Sequence, residues 1–328
     1  MEEKKMKKIA IASLTGLVAL GLLAGCTGGN SKSENKKEVK VGVLQYMEHN
    51  SLDQARKGFV AELKDAGYEE GKNMTLDYQN AQGDQSNLKS MSERLVKNKN
   101  DVILAIATPA AQSVVNETTT LPVLFTAVTD AVSAGLVTSN EKPGGNVTGT
   151  SDVVPIDEQT DLLLSIVPEA KTVGIIYNAS EKNSEIQSKL AKKALEKSGV
   201  KVKEVTVSST NDVQQVMTSL AKQVYGIYIP TDNTLAKTMS TVGEIAEAAK
   251  IPVIAGSTDM VEEGGLATYG INYEKLGRQT GKLAVKILKG EAKPEELSIE
   301  TSKNLELVVN QKMAKALEID PASIKIKK

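Results

Sequence analysis

The sequence has one cysteine, one histidine and no tryptophan, and aromatic residues make up 3% of its 328 residues. A lone cysteine excludes an internal disulfide and a cysteine-rich metal site. A lone histidine excludes a multi-histidine metal centre, and the H-E-x-x-H zinc pattern is absent. Neither sign of charge dominates: the formal net charge is -1, with lysines scattered along the chain. A nucleic-acid binder would show a basic excess, so no nucleic-acid partner is expected. The phosphate-loop pattern G-x-x-x-x-G-K-[ST], a G-x-G-x-x-G after the first strand and the G-x-S-x-G nucleophile elbow are all missing. These absences point away from a nucleotide site and from an enzyme of the hydrolase type. No metal or other cofactor is expected. No apolar run reaches the ~20 residues that span a bilayer.

What is present begins with the position of the cysteine. Lys4, Lys5, Lys7 and Lys8 precede an apolar stretch, Ile9 to Leu22, and Leu23-Ala24-Gly25-Cys26 follows it. A charged start, a short apolar middle and small residues before a cut describe a secretory signal peptide, here residues 1–25. Met6 would serve as a start as well as Met1. The small residues directly before Cys26 resemble the bacterial lipobox, in which the thiol is diacylated and becomes the mature N-terminus. Two acyl chains give stable anchoring where one is marginal. Residues 27–37 (TGGNSKSENKK) contain no apolar side chain and read as a flexible tether. The expectation is a body anchored by lipid at Cys26 to the outer face of a bacterial cell membrane.

From Glu38 onward, short β-branched runs alternate with longer amphipathic ones. Val39–Leu44, Met74–Tyr78, Asp101–Ala107 and Pro122–Phe125 read as strands separated by helices, and the pattern restarts with Thr172–Tyr177, Lys201–Val207, Gly226–Ile229 and Pro252–Ala255. Two successive β-α-β-α-β units imply an α/β fold with two parallel sheets, each covered by helices on both faces. The phrases LPVLFTAVTD and IPVIAGSTDM, one in each half, hint at a duplicated architecture. The first lobe is assigned to 38–150 and the second to 151–274, with 275–328 returning to one of them. Ligands in such sheets bind outside the carboxyl ends of the strands, so two facing lobes make a cleft that a hinge can close. This is the plan of the type I periplasmic-binding-protein fold.

Several stretches carry a family resemblance: Val41-Gly-Val-Leu-Gln-Tyr46, Ala105-Ile-Ala-Thr-Pro-Ala-Ala-Gln112, Phe125-Thr-Ala-Val-Thr-Asp130, Pro143-Gly-Gly-Asn-Val-Thr-Gly149, Gly174-Ile-Ile-Tyr-Asn178, Pro230-Thr-Asp-Asn233 and Gly265-Leu-Ala-Thr-Tyr-Gly270. Together they resemble the lipid-anchored substrate-binding proteins of ABC importers, in a group associated with tryptophan, tyrosine or phenylalanine uptake. The resemblance implies a monomer that captures a small amino acid and delivers it to an ABC permease in the membrane. A different solute, such as a sugar, nucleoside or branched amino acid, stays open as the alternative. The lack of tryptophan argues mildly against sugars. An anchored enzyme and a DNA-binding regulator of the LacI type are the further alternatives, and a signal peptide stands where the regulator's basic headpiece would be.

The candidate ligand residues lie at strand ends. Thr108 reads as an N-cap and Pro109 as the first helical residue, so the amides through Ala110 can hold a carboxylate. Asp232 can pair with a ligand ammonium or cap the next helix. Asn178, Ser180 and Asn183 follow a second-lobe strand and either bond the ligand's α-groups or cap. Gln45 and Tyr46 leave the first strand, with Tyr46 able to stack on an aromatic ring. His49 reads as a polar loop residue. Thr126 and Asp130 leave the fourth strand. Ser151, next to Asp152, sits at the first crossing between lobes, and Tyr269 near the last, as hinge, pocket or both.

Overall fold

The computed structural model describes residues 38–303 and 305–326, so the expected signal peptide, Cys26 and the expected tether lie outside the described residues. In the first half, β1 (Val39–Gln45), β2 (Met74–Asn80), β3 (Val102–Ile106), β4 (Val123–Val128) and β5 (Val147–Ser151) alternate with α1 (Asn50–Asp65), α2 (Gln85–Lys97) and α3 (Thr108–Glu117). Every residue of β3, β4 and β5 is buried. Continuous apolar runs are what strands covered on both faces require. The five pair in parallel, with β1 between β2 and β3.

The second half repeats this order. It comprises α4 (Ile156–Ile166), β6 (Thr172–Asn178), α5 (Lys182–Lys197), β7 (Lys201–Val207), α6 (Thr210–Ala221), β8 (Ile227–Ile229), α7 (Asn233–Lys237), α8 (Met239–Ala249), β9 (Val253–Ala255), α9 (Thr258–Glu263) and β10 (Ala267–Ile271). The chain continues through α10 (Tyr273–Leu288), β11 (Glu300–Thr301), β12 (Leu305–Val309) and α11 (Gln311–Ala316). The sheets run β11-β5-β4-β3-β1-β2 and β12-β10-β9-β8-β6-β7. In each, the winding direction reverses beside the first strand, between β1 and β3 or between β6 and β8. Such switch points open a crevice at the carboxyl ends of the strands.

The C-terminal segment serves both lobes. Helix α10 packs along α1, β11 pairs in parallel with β5, and β12 pairs antiparallel with β10. The α1–α10 contact is a close backbone crossing: a Cβ at Gly277 would lie 1.9 Å from the Ala55 carbonyl oxygen, and one at Gly58 would lie 2.0 Å from that of Glu274. Arg278 ties the same seam through Asp65 at 2.8 Å and Glu62 at 3.5 Å.

Three local features depart from the sequence reading. The helical stretch expected between the strands at Gly226–Ile229 and Pro252–Ala255 is two helices, α7 and α8, because Thr238 Oγ1 donates to the Thr234 and Leu235 carbonyls at 2.9 and 3.1 Å and satisfies groups that a further turn would use. Helix α9 and strand β11 are too short to show a period. Thr108 is not the N-cap of α3. Ala107 holds that position with φ of 82°, Thr108 is the first helical residue and the proline follows it.

Candidate functional site

Strand ends from both sheets converge on one small polar cavity. It is lined by His49, Ser51, Ala127 and Asp152 on one side and by Asn183, Thr231, Asp232, Asn233 and Ser257 on the other, with Tyr273 at the hinge. At its edge the backbone is unusual. Ala127, in its wall near the end of β4, has φ of 57°. Non-glycine residues in this region cluster at ligand sites, where the surrounding structure holds them.

Side chains cross from lobe to lobe beside the cavity. His49 Nε2, just before α1, lies 3.1 Å from Asn233 Oδ1, the first residue of α7. Ser51 Oγ lies 3.3 Å from Ser257 Oγ. Gln187 Nε2, on α5, donates to Thr129 Oγ1 at 3.0 Å and also to Thr231 Oγ1. At the hinge, the Tyr273 hydroxyl donates to Asp152 Oδ2 at 2.6 Å.

The electrostatics centre on two buried acids. Asp232 Oδ1 accepts from Leu235 N and Oδ2 from Asn178 N, at 2.8 and 2.7 Å. Glu181 Oε2 accepts from the backbone and side-chain nitrogens of Asn233, and Oε1 from Thr234 N and Oγ1. Burial pushes both carboxyls above the ordinary carboxylate range, and for Glu181 the neighbouring Asp232 adds to the rise. No described cation pairs with either by the ion pairs present. Tyr46 is buried and its hydroxyl is raised, first by burial and then by the charges of Glu181 and Asp232. Burial pushes His49 down to about 4.

Polar atoms in the cavity wall are left unused. His49 Nδ1, Asp152 Oδ1 and Asn183 Oδ1 are buried without a hydrogen-bond partner. Buried polar groups are nearly always satisfied by protein, water or ligand, so three orphans around one cavity mark a place for one of the latter two.

The sequence-named residues fall in several places. Asn183 and Asp232 line the cavity, and Asp232 also caps α7. Tyr46 faces the acid pair from the first lobe. Thr108 and Ser180 line a separate groove between α3 and the start of α5, where Thr108 Oγ1 is buried and unpartnered. Ala110 packs in the core through its methyl. Gln45 is engaged within its own lobe by Met47 O, Asp53 and Arg56. Thr126 bonds to Thr150, which in turn meets Thr280 of α10. Asp130 turns its own loop through Val132 and Ser133. Ser151 Oγ donates to Thr129 O in the hinge. Asn178 is used by Ser180 and Thr234. Tyr269 lies in β10, where its carbonyl accepts from Gln159.

His49 lies in the loop before α1, as read, but it is buried and meets Asn233 of the other lobe. Sequence reasoning also missed Glu181, Gln187, Asn233, Ser257 and Tyr273. A usable signal existed for Ser257, since IPVIAGSTDM mirrors LPVLFTAVTD and places it after a strand end. Among the described residues, no cluster of His, Cys, Asp and Glu could hold a metal ion. No described helix is long and apolar enough to cross a membrane.

Comparison with known proteins agrees with this layout. A family model described as ABC transporter substrate binding protein matches residues 40–323. A Clostridioides difficile (strain R20291) protein named tyrosine-binding protein is 41% identical over 327 residues, covering 97% of this chain and 94% of that one. A solved Streptococcus pneumonia ABC domain in complex with L-Trp is 40% identical, with a TM-score of 0.83 over 88% of this chain and 97% of that chain. The ligand-free, open structure of a Clostridium difficile substrate binding protein with adhesive properties is 45% identical, yet its TM-score is 0.67 over 86% and 95%.

Proposed function

The chain belongs to the ABC transporter substrate-binding protein family, and from that premise we propose that it captures an aromatic amino acid, tyrosine, phenylalanine or tryptophan, between its lobes. Members of this family are solute-binding components of importers and not enzymes, and they act outside the cytoplasm with a membrane permease. The observation that carries the ligand-capture reading is the set of unpartnered buried atoms, His49 Nδ1, Asp152 Oδ1 and Asn183 Oδ1, around one interlobe cavity. The names of two relatives at about the same identity supply the ligand class.

The mechanism is capture, closure and delivery. The ammonium enters beside the Asp232–Glu181 pair, whose buried carboxyls lack a cation of their own. A charge-assisted hydrogen bond there is shorter and stronger than a neutral one. Closure makes the His49–Asn233, Ser51–Ser257 and Gln187–Thr129 bonds. The conformation described is the closed one. It superposes better on the L-Trp complex than on the open relative, although the open relative is the more identical of the two.

Lipid at Cys26 would hold the protein at the membrane as a monomer beside its permease. The experiment for the anchor is metabolic labelling with a fatty acid. A Cys26→Ser protein loses the label and leaves the membrane fraction, and unchanged labelling refutes the anchor. The experiment for the ligand is calorimetric titration with the three aromatic amino acids. Saturable binding supports the reading, and its absence with all three removes it.

A further inference from the structure

We infer that His49 couples ligand to closure: Nε2–H binds Asn233 across the cleft, and Nδ1 accepts a hydrogen bond from an N–H or O–H of the ligand. This role rests on the amino-acid reading for the identity of the ligand, but its geometry is independent of that reading.

The chain of reasoning starts at Glu181. The backbone N–H of Asn233 donates to Glu181 Oε2 at 3.2 Å, so that oxygen is an acceptor. Asn233 Nδ2 meets the same oxygen, at 2.5 Å, which fixes the amide orientation. Asn233 Oδ1 must then face His49 Nε2, 3.1 Å away. An amide oxygen only accepts, so Nε2 carries the proton. A neutral imidazole has one N–H, which leaves Nδ1 as a bare lone pair. The depressed pKa of the ring agrees with a neutral imidazole. Nδ1 is buried, lines the cavity and has no partner.

Asn183 has the same polarity: its Nδ2 donates to Thr231 O at 3.1 Å, so its unpartnered Oδ1 is an acceptor. Asp152 Oδ2 takes the Tyr273 hydroxyl; burial raises this carboxyl, so Oδ1 carries no fixed polarity. At His49 and Asn183 the cavity therefore reads hydrogen-bond donors. An aromatic amino acid brings two kinds, the ammonium and, in tyrosine, the phenol hydroxyl. His49 precedes α1 in the first lobe, whereas Asn233 opens α7 in the second. Only closure brings them together, and only then is the tautomer that presents Nδ1 as the acceptor enforced.

Two variants separate the two ring nitrogens. A glutamine amide reaches the Nε2 position, so His49→Gln keeps the bond to Asn233 and lacks the acceptor. An asparagine amide reaches the Nδ1 position, so His49→Asn keeps the acceptor and lacks the latch. Melting curves establish that each variant folds. Titrations use L-tyrosine, L-phenylalanine, which lacks the hydroxyl, and 3-(4-hydroxyphenyl)propionate, which lacks the ammonium. His49→Gln is expected to lose about 10- to 100-fold in L-tyrosine affinity. The loss disappears for the one truncated ligand that lacks the donor, and that ligand identifies it. His49→Asn should weaken all three ligands by a similar factor.

Because the chain has one histidine, long-range ¹H–¹⁵N spectra of the protein read its tautomer without assignment. The Nε2–H form with L-tyrosine bound supports the inference. Equal losses for all three ligands in His49→Gln, no loss for any, or an Nδ1–H tautomer would overturn it. If the wild-type protein binds none of the three, the aromatic reading fails. The tautomer with whichever common amino acid raises the melting temperature then decides the role of His49, and a protein stabilised by no amino acid overturns it too.

Discussion

Gly277→Ala tests how the first lobe is held to the hinge. Gly277 lies in the interior of α10, where alanine would ordinarily add about 1 kcal/mol through helix propensity. Here the added Cβ would sit 1.9 Å from the Ala55 carbonyl oxygen, against 3.4 Å for an ordinary contact. Clearing it requires α1 and α10 to separate by a good part of that 1.5 Å difference. Overpacking of this kind costs about 1–3 kcal/mol and occasionally more. The separation also loosens dispersion contacts along the seam, which holds the buried side chains Phe59, Leu63, Leu276 and Leu283. We expect a net loss of about 2 kcal/mol, or a fall in Tm of roughly 4–8 °C for a unit of lobe size. Helix α10 begins at Tyr273, which bonds to Asp152 in the cavity wall, so amino-acid affinity should fall as well. Gly145→Ala is the control, since no atom lies within 4 Å of a Cβ there. The assay is thermal unfolding of both variants beside the wild type, with calorimetric titration of the folded proteins. A Gly277→Ala protein as stable as wild type, or more so, would refute the close-crossing argument.

Other perturbations address the cleft itself. Asp232→Ala should weaken amino-acid binding by tenfold or more, and also lower stability by about 1–2 kcal/mol because it removes the cap on α7. Asp232→Asn should recover part of the stability but not the affinity, and equal affinity in both variants and wild type would remove the ammonium assignment. Gln187→Leu breaks the α5–Thr129 bond across the lobes and should raise Kd about five- to tenfold, mostly through faster release; an unchanged release rate would contradict the closure role. The buried acids imply a pH dependence. Glu181 and Asp232 have folded pKa values above their unfolded ones, so the stability they confer is fully present below about pH 4 and is lost as pH rises, for Glu181 through its folded value of about 8. The ligand-free Tm should therefore carry a downward contribution toward alkaline pH that bound amino acid suppresses. Parallel pH profiles with and without ligand would count against an ammonium at the pair.

The fold was largely legible because parallel strands buried on both faces announce themselves as unbroken apolar runs. VILAI and VLFTAV cannot be placed at a solvent-facing edge, and their recurrence in the second half discloses the second sheet. Short elements such as α9 and β11 carry too few residues to show a period. The site was less legible. Asn183 and Asp232 could be named because each follows a strand and opens a helix. Those same positions also hold Asn178, whose side chain is consumed by Ser180 and Thr234, so strand-end position alone does not separate ligand groups from caps. The burial of His49 in its loop was not legible because its partner, Asn233, lies 184 positions away. Glu181 shows the same limit: four donors from Asn233 and Thr234 give it its role, and none is adjacent in sequence.

Thermal unfolding of residues 31–328 against the common amino acids, several sugars and nucleosides tests the central claim most directly. A ligand that binds only the folded protein must raise the midpoint. We predict a rise with tyrosine, phenylalanine or tryptophan and none with sugars or nucleosides. A rise confined to a sugar, a nucleoside or a branched amino acid would contradict the aromatic reading.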